Sequence, residues 1–124
     1  MEFNNQQPIY LQIAEMICEL ILQKKYVPDE RIPSVREMAV QLEVNPNTVM
    51  RTYDFLQANG MITNKRGIGY FVAADGIEKA TGYLKTAFLE EELPKVFKTA
   101  RLLQISFEDL LEKFREQETK KTNN

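Results

Sequence analysis

The sequence predicts a mainly α protein with a small β-hairpin, in which an N-terminal head is followed by a helical tail. Three observations predict it. Apolar residues recur at helical spacing over 9–21, 35–42 and 49–56. Two β-prone runs flank the basic turn Lys65-Arg66-Gly67. Beyond residue 76 the helical spacing returns, with no further strand signal.

The first helix is expected within Pro8 to Lys25. Ile9, Ile13, Ile17, Leu20 and Ile21 form its stripe, and Leu11, Ala14 and Cys18 flank it. The second begins at Ser34. That hydroxyl can accept from the amide of Glu37, whose carboxylate can reach back to the amide of Ser34. The pair is a capping box. Val35, Met38, Ala39 and Leu42 supply the inward face, and Val44 plugs the corner that follows. In the third, Asn45 caps and Pro46 takes the first helical position, where a missing N–H costs nothing. Val49, Tyr53 and Leu56 point inward. Asn47, Thr48, Arg51 and Asp54 fall on the opposite side. Gly60 ends the helix in a left-handed conformation. Helices this short need packing partners.

The hairpin is expected from Met61–Asn64 and Ile68–Ala73. Three helices and a basic hairpin make the winged helix-turn-helix plan. In the tail, Ile77, Ala80 or Thr81, Leu84, Ala87 and Phe88 form one stripe. Leu93, Val96, Phe97, Ala100 and Leu103 form another, out of phase with it. Pro94 sits at the phase break and cannot donate to the carbonyl of Glu90, so a kink or a break is expected near 90–94. A last helix starts at Ser106, with Asp109 completing its cap and Ile105 stapled to Leu110. Phe107, Leu110, Leu111 and Phe114 form its apolar side, and fraying is expected over Lys120–Asn124.

Four blocks in register resemble the GntR family of bacterial transcription regulators. They are Pro8-Ile9-Tyr10-Leu11-Gln12-Ile13, Ile32-Pro33-Ser34-Val35-Arg36-Glu37, Val44-Asn45-Pro46-Asn47-Thr48-Val49 and Arg66-Gly67-Ile68-Gly69. The Asn-Pro-Asn-Thr-Val form and the short tail are similar to the YtrA-like subgroup. The resemblance implies a repressor that docks on operator DNA. Many larger relatives carry a DNA-touching arginine where this chain has Pro46, so that contact is missing here.

Composition fits this reading. The chain of 124 residues suits one small domain with an appendage, or two small units, divided here as 1–75 and 76–124. Its hydrophobic content of 44% is ordinary for a soluble protein. The polar start, Met1-Glu2-Phe3-Asn4-Asn5, lacks a signal-peptide pattern, and no apolar run reaches membrane-spanning length. A single cysteine forbids an internal disulfide and suits a reducing cytoplasm, the expected location. Catalysis is not expected. There is no histidine, Cys18 has no evident base partner, and no metal-ligand spacing or phosphate loop appears. No cofactor is expected. The net charge of −2 argues mildly against a DNA binder, and residues 1–75 hold seven Lys+Arg against nine Asp+Glu. Yet Arg36, Arg51, Lys65 and Arg66 all belong to elements expected to meet DNA. The acids Glu15, Glu19, Asp29 and Glu30 lie on the first helix and its exit loop.

Asn47, Thr48 and Arg51 are the expected base readers: arginine can fork onto guanine, and asparagine can pair with the Hoogsteen edge of adenine. The plain alternative is an ordinary solvated face. Capping accounts for Asn45 fully, which leaves a DNA contact open beside it. Arg36 lies at the positive end of its helix, where a structural role would favour an acid, so a phosphate or base contact is the better reading. Ser34 is chiefly a cap, with a phosphate contact in addition. Lys65, Arg66 and Gly67 form a wing tip that lies along the minor groove or grips the backbone, against the alternative of a plain charged turn. Gly67-Ile68-Gly69 has no βαβ context and is not a nucleotide loop. Tyr10, Tyr53, Tyr70 and Phe71 are read as packing residues.

The tail stripes have little to cover them within a short chain. Twofold self-association through Leu84, Phe88, Leu93, Val96, Phe97, Ala100, Leu103, Leu110, Leu111 and Phe114 is favoured over folding back on the head. Two heads would then read two half-sites of a pseudo-palindrome. A small-molecule effector, if one exists, is expected between tail and head, but no residue cluster identifies it. The alternative to DNA binding is a winged helix used only for protein–protein interaction.

Overall fold

The computed structural model describes Phe3 and residues 7–122, and it divides into two compact units, 1–85 and 86–124. The order is α1 (Ile9–Leu22), α2 (Val35–Leu42), α3 (Pro46–Ala58), β1 (Ile62–Lys65), β2 (Gly69–Val72), α4 (Gly76–Ala87), a π-helical turn (Phe88–Glu92), α5 (Leu93–Leu102) and α6 (Phe107–Thr122). Apart from Phe3, the polar stretch 1–5 lies outside the described residues.

In the first unit the three helices close on one core. Ile13, Ile17 and Ile21 of α1 and Val49, Tyr53 and Leu56 of α3 are fully withdrawn from solvent, and Met38 and Ala39 of α2 join them. Ile9 departs from the expected stripe and is 43% exposed. It sits in the first turn, while the buried face runs instead through Gln12, Ile13, Ala14, Ile17, Cys18 and Ile21. The buried Gln12 is tolerated there because its Nε2 donates to the carbonyl of Gln7 at 2.8 Å.

Local chemistry sets the corner between α2 and α3. The Ser34 Oγ accepts from Glu37 N–H, and Glu37 Oε1 accepts from Ser34 N–H, both at 3.1 Å. Hydrogen bonding from the Ser34 backbone N–H first, and from its hydroxyl second, holds the Glu37 carboxyl below its ordinary range. Glu43 adopts a left-handed conformation at φ 55, and Val44 N–H then donates to Ala39 O at 3.1 Å. Val44 packs against the core, as a corner plug should. Asn45 Oδ1 accepts from Asn47 N–H at 2.8 Å, with Pro46 in the first turn of α3. At the far end Gly60, at φ 81, turns the chain so that Met61 N–H reaches Leu56 O.

The hairpin is antiparallel, from Ile62↔Val72 to Lys65↔Gly69. Sequence patterning does not predict that the segment before α2 pairs with the free edge of β2. Arg31 bridges Phe71, Ile32 N–H donates to Tyr70 O at 2.9 Å, and Val72 N–H donates to Glu30 O at 3.0 Å. The wing is thereby tied to the helical core, and its edge is covered. Ala80 of α4 is buried in the same core, with Ile77, Tyr83 and Leu84 packed against it.

The second unit keeps helical geometry at its proline. Leu93 N–H donates to Phe88 O across a π turn. The wider turn relieves the clash that Pro94 would cause with a carbonyl one α-turn back. Its extra residue also absorbs the phase slip between the two predicted stripes. Neither a chain break nor a non-helical kink interrupts residues 88–102. The Ser106 Oγ accepts from Asp109 N–H at 3.1 Å at the start of α6. Helix α6 runs on to Thr122, through most of the stretch expected to fray, and Asn123 and Asn124 lie outside the described residues.

Candidate nucleic-acid interface

Helix α3 is anchored by one face and offers the other. Val49, Tyr53 and Leu56 are at 0% exposure, while Asn47, Arg51 and Asp54 are exposed and Thr48 is half-buried. Two further side chains fix its rotation. Tyr53 Oη donates to Pro33 O at 2.6 Å, and Thr52 Oγ1 lies 2.8 Å from Tyr10 O and 3.1 Å from Thr48 O. Burial pushes the Tyr53 hydroxyl's pKa up, so it stays a donor. Thr52 was not singled out by the apolar pattern, because its hydroxyl is satisfied by a contact distant in sequence.

The wing tip is a tight turn. Ile68 N–H donates to Lys65 O at 2.9 Å, and Gly67 sits at φ 79 in the third position, as a type II turn requires. Lys65, Arg66 and Gly67 are all exposed there. The Lys65 ammonium lies 4.3 Å from the Phe71 ring centroid, which steadies the strand end that carries it. At Gly69 (φ 140) a Cβ would come within 2.8 Å of Arg31 Nε, so the glycine leaves room for that guanidinium to cross the wing. Arg31 is exposed and close enough to Glu37 to stabilise its carboxylate. Its placement depends on the edge pairing of residues 30–32, which an isolated charged stretch does not announce.

Arg36 is exposed at the start of α2, with Ser34 half-buried beside it. The ion pairs among the described residues, Lys95–Glu92 and Lys113–Glu116, belong to the second unit. Arg36, Arg51, Lys65 and Arg66 therefore have no carboxylate within ion-pair distance among the described residues. Arg51 does have a neighbour that sequence reading missed. Its guanidinium carbon lies 4.0 Å from the centroid of the Tyr10 ring, which the sequence had assigned to packing alone. No group of His, Cys, Asp and Glu suited to a metal occurs among the described residues.

The model of the bacterial regulatory proteins, gntR family, matches residues 9–72, more than half of the chain. The chain belongs to the GntR family. It is 40% identical over 113 residues to the HTH-type transcriptional regulator YhcF of Bacillus subtilis, covering 90% of each chain. It is 34% identical to the HTH-type transcriptional repressor YtrA of the same organism, over 88% of this chain and 83% of that one. A putative GntR regulator from Bacteroides thetaiotaomicron, solved by crystallography, matches with a TM-score of 0.75 and 43% identity, over 92% of this chain and 99% of that one. The DNA-binding domain of AraR, solved in complex with operator ORR3, matches with a TM-score of 0.54 and 32% identity, over 59% of this chain and 88% of that one. This GntR chain is thus a transcriptional regulator with a winged-helix DNA-binding domain. The members it resembles are regulators, not enzymes.

Proposed function

We propose that this GntR regulator is a repressor that binds a pseudo-palindromic operator as a homodimer. The observation that carries the reading is the division of α3 into a sealed inner face and an outer face whose cation is not neutralised by an acid. Asn47, Thr48 and Arg51 read bases from its N-terminal half, the end that a recognition helix inserts. Asn45, Ser34 and Arg36 grip phosphates beside it, and Lys65, Arg66 and Gly67 follow the backbone or minor groove. The AraR domain bound to its operator and the repressor YtrA support both the docking mode and the sign of regulation.

The dimer rests on the second unit. Phe88, Val96, Phe97, Leu103 and Phe114 are between 37% and 64% exposed, and Leu93, Leu110 and Leu111 are half-buried. A monomer gains nothing from an apolar surface of that kind, and a twofold partner would cover it. Leu84 and Ala100 contribute less, because Leu84 already packs on the first unit's core and Ala100 is buried. No helix of the described residues is long and apolar enough to cross a membrane, in keeping with a regulator that works on DNA in the cytoplasm.

Duplex affinity measured against salt tests the reading. Groove docking predicts a steep linear fall of log affinity with log salt. Arg51→Ala is expected to relax discrimination at one base position by about 1–3 kcal/mol, and Lys65→Ala to weaken all sequences alike and lower the salt slope by about one. Binding that ignores both salt and sequence would favour a protein-interaction module instead.

A further inference from the structure

We infer that Tyr10 is a positioning residue for base readout: its ring holds the Arg51 guanidinium in place before DNA arrives. The inference rests on the reading of Arg51 as a base reader. A free arginine side chain loses up to about 2 kcal/mol of rotamer freedom when a base fixes it. An aromatic face under the guanidinium takes part of that ordering in advance, and guanidinium is the cation best suited to stack there.

Three features make Tyr10 a fixed platform rather than a chance neighbour. The guanidinium carbon is 4.0 Å from its ring centroid, well within the range of a cation–π contact. Its backbone is pinned to the recognition helix, because the carbonyl of Tyr10 accepts from the buried hydroxyl of Thr52, the residue next to Arg51. Its ring orientation is set edge-on by Phe55, with centroids 6.3 Å apart at 74°, and Phe55 is in turn held edge-on by Tyr83 at 5.5 Å and 70°. The platform belongs to α1, the cation to α3, and the brace to α3 and α4. Among the described residues, no carboxylate lies within ion-pair distance of Arg51 to draw it elsewhere.

The full-length chain tests this with paired duplexes that differ at the base read by Arg51. Tyr10→Leu keeps an apolar side chain but removes the π face. It is expected to shrink the preference for the correct base roughly two- to fivefold, the range of an exposed cation–π contact. Tyr10→Phe keeps the face and is expected to keep the preference. In an Arg51→Ala background, Tyr10→Leu is expected to do nothing further to base choice. In the free wild-type protein the Arg51 δ-methylene protons are expected to shift upfield by ring current, a shift that Tyr10→Phe retains and Tyr10→Leu abolishes. The NMR arm and Tyr10→Phe serve even if Tyr10→Leu folds poorly. An equal loss on all duplexes, a loss that persists without Arg51, a gain of affinity with Tyr10→Leu, or an unshifted Arg51 would overturn the inference. If Arg51→Ala alone leaves base choice unchanged, the base-reading role itself fails and the inference goes with it. If Arg51→Ala has its effect and Tyr10→Leu has none, the inference alone fails.

Discussion

The two units treat their apolar side chains in opposite ways. In the first, Ile13, Ile17, Ile21, Tyr53 and Leu56 are wholly out of water; in the second, Phe88, Leu102, Leu103, Phe107 and Phe114 each keep more than half of their surface in it. The difference is one of closure. Three helices crossing at a tight corner, sealed by a hairpin, surround a common interior. A π turn and two helices do not, and among the described residues of that unit only Ala100 is buried. The first unit thus encloses its own core, while the second leaves its apolar side chains open, which is the contrast on which the proposed dimer rests.

The largest expected effect breaks that half. Phe97→Glu places a carboxylate on the apolar face of α5. It is expected to halve the native mass in sedimentation and to reduce operator affinity roughly 10²-fold or more, because the second head is no longer tethered. The first unit's thermal transition should barely move. An unchanged mass would remove the contrast between a closed head and an open tail. Next, Leu56→Ala in the head is expected to cost about 2–5 kcal/mol in urea unfolding. By comparison, Leu102→Ala in the tail, at a residue 74% exposed, should cost well under about 1 kcal/mol. Equal costs would mean that the tail is better packed than its exposure indicates.

A smaller change, Ser34→Ala, removes one side of the capping box and is expected to cost about 1 kcal/mol. It should leave the dimer intact, since the box belongs to the head. A further contrast concerns pH. Burial, with help from Glu15 and Glu19, pushes the Cys18 thiol up from 9.0 to about 12, and burial raises Tyr53 as well. Groups whose pKa is raised by folding contribute fully below their unfolded value, and that contribution fades as pH climbs. Head stability is thus expected to fall above about pH 9, and Cys18→Ala to make the fall shallower in a melt series taken up to about pH 11. A slope unaffected by Cys18→Ala would mean that the thiol is hydrated in the native head.

Much of the head was legible because its signals are local. The Ser34–Glu37 box, the Asn45-Pro46 start, the inward triplet Val49, Tyr53 and Leu56 and the turn at Gly67 each follow from residues a few positions apart. What was not legible depends on distant pairing. The bridge between Arg31 and Phe71, the Thr52 hydroxyl on the Tyr10 carbonyl and the stacking of Arg51 on Tyr10 each join segments 40 to 42 positions apart. No periodicity encodes such contacts. In the tail, the phase slip at Pro94 announced an irregularity without saying which. A π turn satisfies both the missing donor and the misaligned stripes, and a kink or a break would have fitted the same residues. Ile9 was misplaced because helical spacing gives a residue's angle about the axis and not how far along the helix the core extends.

The most direct test of the account is selection of duplexes from a random pool by the full-length chain. The account predicts enriched sites with two inverted half-sites, centred about one helical turn or a multiple apart, and a single relaxed base in each half when Arg51→Ala is used. Enrichment of one unrepeated half-site, or no enrichment at all, would contradict it.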